Sequence, residues 1–230
     1  MVFHKVDGTI GLACTAGVGI RRCARVGWLL VLLLWAFGVS AAGSEATEPP
    51  VLMVLGDSLS SAFGIEVEEG WVQLLQRRLD QQGRRYRVVN ASISGDTSGA
   101  GLARLGRALA MHRPAIVLVE LGGNDGLRGL DLKDMRRNLE QIVSRSQRSG
   151  AQVLLLGMRI PPNYGPAYSE GFHDVYVQAA TQYRISLVPF LLAGIADDPQ
   201  LMQADGIHPK ASAQAQILEN VWPYLEAILS

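Results

Sequence analysis

Cysteine is nearly absent from this chain of 230 residues: there are two, Cys14 and Cys23. Everything after Cys23 therefore has no disulfide, no thiolate nucleophile and no cysteine-based metal site. Neither charge is in excess, with 21 basic and 21 acidic residues. That balance argues against nucleic acid or an anionic membrane surface as the main partner, since both call for a basic face. A membrane-spanning helix needs about 20 apolar residues, and the apolar stretch Val26 to Val39 supplies only 14. The HExxH, P-loop and GxGxxG patterns are missing, so zinc, ATP and NAD have no motif to bind them. A lipase-type G-x-S-x-G elbow is missing as well. Glu66, Glu68 and Glu69 read as a solvated loop, and no two acids stand out as a glycosidase pair.

What is present begins with a leader. Arg21, Arg22 and Arg25 precede the apolar core Val26 to Val39, and Ser40-Ala41-Ala42-Gly43-Ser44 follows it. That is the order of a secretory signal peptide: charge, apolar core, small residues for cleavage. The expectation is a cleaved signal peptide over residues 1–42, with retention as an anchor as the alternative. A short linker then covers 43–50, and one domain covers 51–230. This implies a periplasmic or secreted protein with no stable membrane anchor after cleavage. Cleavage takes four of the 21 basic residues and one of the 21 acidic ones, leaving 17 and 20 and a net charge of about −3. The remaining 188 residues suffice for one domain with a substantial core. Without cysteines, that domain must be held by its core and not by disulfides.

Beyond the linker, apolar runs alternate with helical patterns. Val51–Leu55, Tyr86–Asn90, Ala115–Leu121, Gln152–Leu156 and Ser186–Pro189 read as strands. Gly70–Gln82, Ser98–His112, Asp131–Ser149, Pro166–Tyr183 and Pro209–Ile228 read as helices. Leu132, Met135, Leu139, Ile142 and Val143 recur with the period of one apolar helix face. Asp131 is placed to cap that helix and Gly150 to end it. Strand–helix alternation predicts an α/β fold: a parallel sheet with helices on both faces. In such folds ligands bind beyond the carboxyl ends of the strands.

Four loops at those ends carry chemistry. Ser58 lies in Gly56-Asp57-Ser58-Leu59-Ser60, directly after the first strand. It is either a nucleophile awaiting a base or a helix-capping turn residue. His208 lies in Asp205-Gly206-Ile207-His208-Pro209. One tight loop can present an imidazole together with a carboxylate that fixes its tautomer. The plainer alternative is a turn aspartate and a histidine before a helix-starting proline. Asn90-Ala91-Ser92-Ile93-Ser94-Gly95-Asp96-Thr97 can bring the Gly95 N–H close to a substrate. Gly122-Gly123-Asn124-Asp125 can offer a carboxamide donor to a developing oxyanion. Each alone is ordinary turn chemistry, but four together after successive elements point to nucleophilic catalysis. His112, at a helix end, and His173, on a helix, are read as structural.

These four segments resemble the sequence blocks of the SGNH, or GDSL, hydrolase family. The match runs through Ser58, Gly95, Asn124 and His208. The strings Asn90 to Thr97 and Val119 to Gly129 are most similar to its bacterial thioesterase, lysophospholipase and arylesterase branch. The resemblance implies a flavodoxin-like three-layer α/β/α domain with a mainly parallel five-stranded sheet. It implies hydrolysis of acyl esters and thioesters through an acyl-serine. In that reading Ser58 is the nucleophile, His208 the base and then the acid, and Asp205 its orienting partner. The oxyanion is held by Asn124 and by the N–H groups of Gly95 and Ser58. No metal or cofactor is expected, the partner is a small acyl ester or thioester, and the protein is a monomer. Ile160 and Pro161, in Arg159 to Gly165 at the same sheet edge, are expected to line the acyl side of a groove; a plain proline-rich loop is the alternative. Two other functions fit the same fold: an esterase for short acyl groups on carbohydrate, and a non-catalytic envelope binding protein.

Overall fold

The structure, a computed structural model, describes residues 48–229. The signal-peptide expectation, and most of the linker, fall outside these residues. No helix among the described residues is long and apolar enough to cross a membrane.

Five strands form one parallel sheet: β1 (Val51–Gly56), β2 (Arg87–Asn90), β3 (Ile116–Glu120), β4 (Gln152–Leu156) and β5 (Ser186–Val188). Their spatial order is β2-β1-β3-β4-β5. β1 and β3 are buried along their whole length, and β4 along all but its first residue. This is why they read as continuous Val and Leu runs and not as alternation: helices cover both faces of a parallel sheet. β2 is an edge strand and only partly covered.

Among the described residues six α-helices accompany the sheet: α1 (Trp71–Gln81), α2 (Ser98–His112), α3 (Gly123–Leu127), α4 (Leu132–Arg148), α5 (Pro166–Tyr183) and α6 (Gln214–Glu226). α1 packs on α6, while α2, α4 and α5 pack in series, which gives the three layers. α4 buries Met135, Leu139, Ile142 and Val143. Its cap is Asp131, whose Oδ1 accepts from the Lys133 N–H at 2.7 Å; removing such a cap typically costs about 1 kcal/mol. The last helix starts later than its periodicity predicts. Pro209 bridges to Met202, and the Lys210 N–H donates to the Leu201 carbonyl at 2.7 Å. Those bonds commit the first residues of the predicted helix to a loop, and a 3-10 turn at Ala211–Ala213 intervenes.

From β1 the chain moves to one side of the sheet for β2, then back across β1 to the other side for β3. The crossovers after β1 and β3 thus diverge, and a crevice opens between the carboxyl ends of these two strands.

Candidate active site

Ser58 lies two residues past β1, at that crevice. The turn holding it is tied locally: the Ser61 N–H donates to the Asp57 carbonyl at 3.0 Å and the Phe63 N–H to the Ser58 carbonyl at 3.2 Å. His208 arrives from residues 201–210, which double back on themselves. The Gln203 N–H donates to the His208 carbonyl at 2.7 Å, and the chain closes through Lys210 to Leu201. At the tip, Asp205 Oδ1 accepts from the N–H groups of Ile207 and His208 at 2.9 and 3.0 Å. Its Oδ2 meets His208 Nδ1 at 2.6 Å. His208 Nε2 in turn lies 2.9 Å from Ser58 Oγ, across 150 residues of sequence.

Bonds from the backbone and imidazole of His208 hold the Asp205 carboxyl down to about 2. Asp205 is therefore ionised at any ordinary pH, and a carboxylate only accepts. Nδ1 of His208 must then carry the hydrogen, which leaves Nε2 of the neutral ring to accept from the Ser58 hydroxyl. The contact lies within the reach that proton transfer requires. The Phe63 ring covers the imidazole, with centroids 4.4 Å apart.

Asn124 is the second residue of α3, directly after β3 and the Gly122 turn. The short helix was not foreseen, because five residues are too few to show a period. Both amide hydrogens of Asn124 are engaged. Nδ2 donates to Asp57 Oδ2 at 2.9 Å and to the Asp96 carbonyl at 3.0 Å. Gly95 has φ +83°, and Arg128 donates to its carbonyl at 2.9 Å. Among the described residues the N–H groups of Ser58 and Gly95 have no acceptor. Arg104 ties the Gly95 loop to the sheet: its guanidinium pairs with Asp96 at 2.6 Å and also binds the carbonyls of Ala91 and Gly56.

The structure separates Ile160 from Pro161. Ile160 is buried, with a methyl beside Gly126, whereas Pro161 is exposed. The segment carrying them leans on α3, since the Tyr164 hydroxyl donates to the Leu127 carbonyl at 2.8 Å. Of the residues read as structural, His112 closes α2 and His173 is half-buried on α5. No three His, Cys, Asp or Glu side chains among the described residues are grouped to hold a metal ion.

Three side chains at the site escaped the sequence reading. Gln203 donates through Nε2 to the Phe63 carbonyl at 2.9 Å and to the Pro209 carbonyl at 3.1 Å, which fastens the Ser58 loop to the His208 loop. Asp57 and Glu120 are both buried. Glu120 carried a legible signal, as the one acid ending the apolar run Ile116-Val117-Leu118-Val119.

Comparison with known proteins gives a consistent set. A family model described as "GDSL-like Lipase/Acylhydrolase family" matches residues 54–216. "Esterase TesA" of Pseudomonas aeruginosa is 54% identical over 178 residues, covering 77% of this chain and 89% of that one. "Thioesterase 1/protease 1/lysophospholipase L1" of Escherichia coli is 40% identical over 201 residues, covering 87% and 92%. A solved structure of the esterase EstA from Pseudoalteromonas sp., inhibited by monoethylphosphonate, is 42% identical with a TM-score of 0.74, covering 77% of this chain and 97% of that one.

Proposed function

The chain belongs to the GDSL-like lipase/acylhydrolase family, and from that premise we propose that it is a serine esterase that cleaves acyl esters and thioesters. The observation that carries the reading is the Ser58–His208–Asp205 chain of contacts at 2.9 and 2.6 Å.

The reaction follows from the proton inventory. Ser58 Oγ attacks the acyl carbon while its proton passes to His208 Nε2. The carbonyl π electrons move onto oxygen. That oxyanion is met by the N–H groups of Ser58 and Gly95, which have no other acceptor among the described residues, and by Asn124. Asn124 keeps its bond to Asp57 and turns its other hydrogen from the Asp96 carbonyl to the oxyanion. Collapse expels an alcohol or thiol, which takes its proton from His208. Water then attacks the acyl-serine, its proton goes to His208, and the carboxylic acid departs with Ser58 restored. Asp205 stays ionised throughout and stabilises the imidazolium.

The acyl chain runs along an apolar rim at the mouth of the site. Pro161 lines its surface and Ile160 backs it, and Ile93, Phe63 and Ile207 are exposed on three of the four catalytic loops. We place the enzyme in the periplasm or outside the cell, on the charge, apolar core and small-residue order of residues 21–44. It works there as a monomer on small substrates.

The test is hydrolysis of p-nitrophenyl esters from acetate to palmitate by the protein and by Ser58→Ala. Activity is expected to rise from acetate toward medium chains, since each buried methylene contributes up to about 0.8 kcal/mol, and to vanish in Ser58→Ala. Activity that survives in Ser58→Ala sinks the mechanism. A preference for acetate moves the substrate to small acyl groups, and no activity at any length leaves a binding protein.

A further inference from the structure

Glu120 ends β3, the central strand of the sheet, and is fully buried. An acid at such a position costs several kcal/mol of desolvation unless something compensates, and the reaction above gives it no part. Its contacts all lead to the site. Oε2 accepts from the Ser60 hydroxyl at 2.8 Å and from the Asp57 N–H at 3.1 Å. Both donors flank Ser58. Asp57, itself buried, is held to Glu120 through its N–H, while the second Glu120 oxygen, Oε1, has no hydrogen-bond partner among the described residues. Asp57 Oδ1 takes the Leu59 N–H at 3.1 Å, and its Oδ2 holds Asn124 Nδ2 at 2.9 Å. Glu120 thus stands beneath the nucleophile turn and, one residue further on, beneath the carboxamide that faces the oxyanion.

We propose that Glu120 is a positioning residue for the oxyanion hole: by anchoring Asp57 and Ser60 it sets the direction in which Asn124 presents its amide hydrogen. The proposal rests on the esterase reading of the site.

Burial pushes both carboxyls up, and Glu120 further, because the Asp57 charge lies against it. Of the two acids Glu120 therefore holds its proton the more tightly, and Asp57 is left as the acceptor for the Leu59 N–H and Asn124. Asp57 becomes an acceptor that cannot turn away, and Asn124 pivots on it when its other hydrogen leaves the Asp96 carbonyl. A glutamine keeps the carbonyl acceptor of a neutral acid and places an amide donor where its O–H would be, so glutamine is the conservative replacement here.

The experiment is a mutant cycle read by kcat and KM on a p-nitrophenyl ester of medium chain length. Loss of a whole oxyanion donor costs about 100- to 1000-fold in kcat, so its misdirection in Glu120→Leu is expected to cost on the order of tenfold to a hundredfold. KM should stay unchanged, because the ground state does not use the hole. Glu120→Gln should recover most of that loss. In an Asn124→Ala background Glu120→Leu should cost nothing further, since the two act through one group. Should Glu120→Leu not fold, Ser60→Ala removes one anchor without disturbing the strand, and about a threefold or larger fall in kcat is expected, again absent in Asn124→Ala. Wild-type kcat in a folded Glu120→Leu or in Ser60→Ala, or losses that multiply with those of Asn124→Ala, overturn the proposal. Ser58→Ala runs alongside: if it retains activity, the esterase reading has failed, and if it is dead while Glu120→Leu is fully active, only the role of Glu120 has.

Discussion

Two carboxylates near Ser58 sit in opposite surroundings, and their pH behaviour should differ in sign. Asp205 is half exposed and held by its bonds to His208 and Ile207. Its folded value near 2 lies below the ordinary aspartate value of about 3.9. Its stabilising contribution is therefore complete above pH about 4 and lost as pH falls toward 2. Asp205→Asn should melt slightly lower than the parent above that range, with the gap closing at acid pH in a thermal titration. Its kcat should fall on the order of a thousandfold or more, because the imidazole loses its anchored tautomer. Glu120 behaves the other way. Burial, and then the Asp57 charge, push its carboxyl well above the ordinary glutamate value of about 4.3 at which the unfolded chain releases its proton. The unfolded state then binds fewer protons, so stability falls as pH rises. Glu120→Gln should gain in melting temperature over the parent as pH is raised from 4 to 8; a constant offset would show that Glu120 is ionised in the fold.

At the scale of elements, the turn between β3 and α3 is the most constrained. Gly122 has φ +111°, and a Cβ there would lie 2.3 Å from the Tyr176 hydroxyl and 2.6 Å from Met135 Cε. Tyr176, on α5, donates to the Leu121 carbonyl at 3.0 Å, and its burial raises its own ionisation well out of reach. α5 thereby sets the height at which the chain leaves β3 and enters α3 with Asn124. Gly122→Ala adds backbone strain of about 1–3 kcal/mol to a direct clash. A lower urea midpoint is expected together with a reduced kcat; unchanged kcat at full folding would show that α3 absorbs the shift. The glycines of this turn were legible in the sequence as a site for close approach. The Tyr176 contact was not, because α5 shows only its own local pattern and the partner lies 55 residues away.

For the whole molecule, the sheet is both core and frame. Leu118 sits in mid β3 with no exposure and neighbours on both sides, Val54 of β1 and Leu154 of β4. Leu118→Ala should cost about 2–5 kcal/mol, as buried leucine truncations do. It should do so without changing KM at temperatures where the variant is folded, since the site lies beyond the strand ends. A parallel shift in KM would mean that the crevice deforms with the core.

The chain alone specified its strand and helix sequence, because periodicity, caps and turn residues act within a few positions. It specified Ser58, Gly95, Asn124 and His208 as residues of interest for the same reason: each stands in a short loop with a distinctive composition. Four of the five predicted helices and all five strands lie within one or two residues of their observed bounds. Only the tertiary structure decided the β2-β1-β3-β4-β5 order, and with it which loops meet at one crevice. It alone revealed the bridge made by Gln203, the two bonds already held by Asn124 and the burial of Glu120 beneath the Ser58 turn. These depend on which groups are brought together and removed from water across 28 to 140 residues of chain, and neither proximity nor desolvation has a local signature.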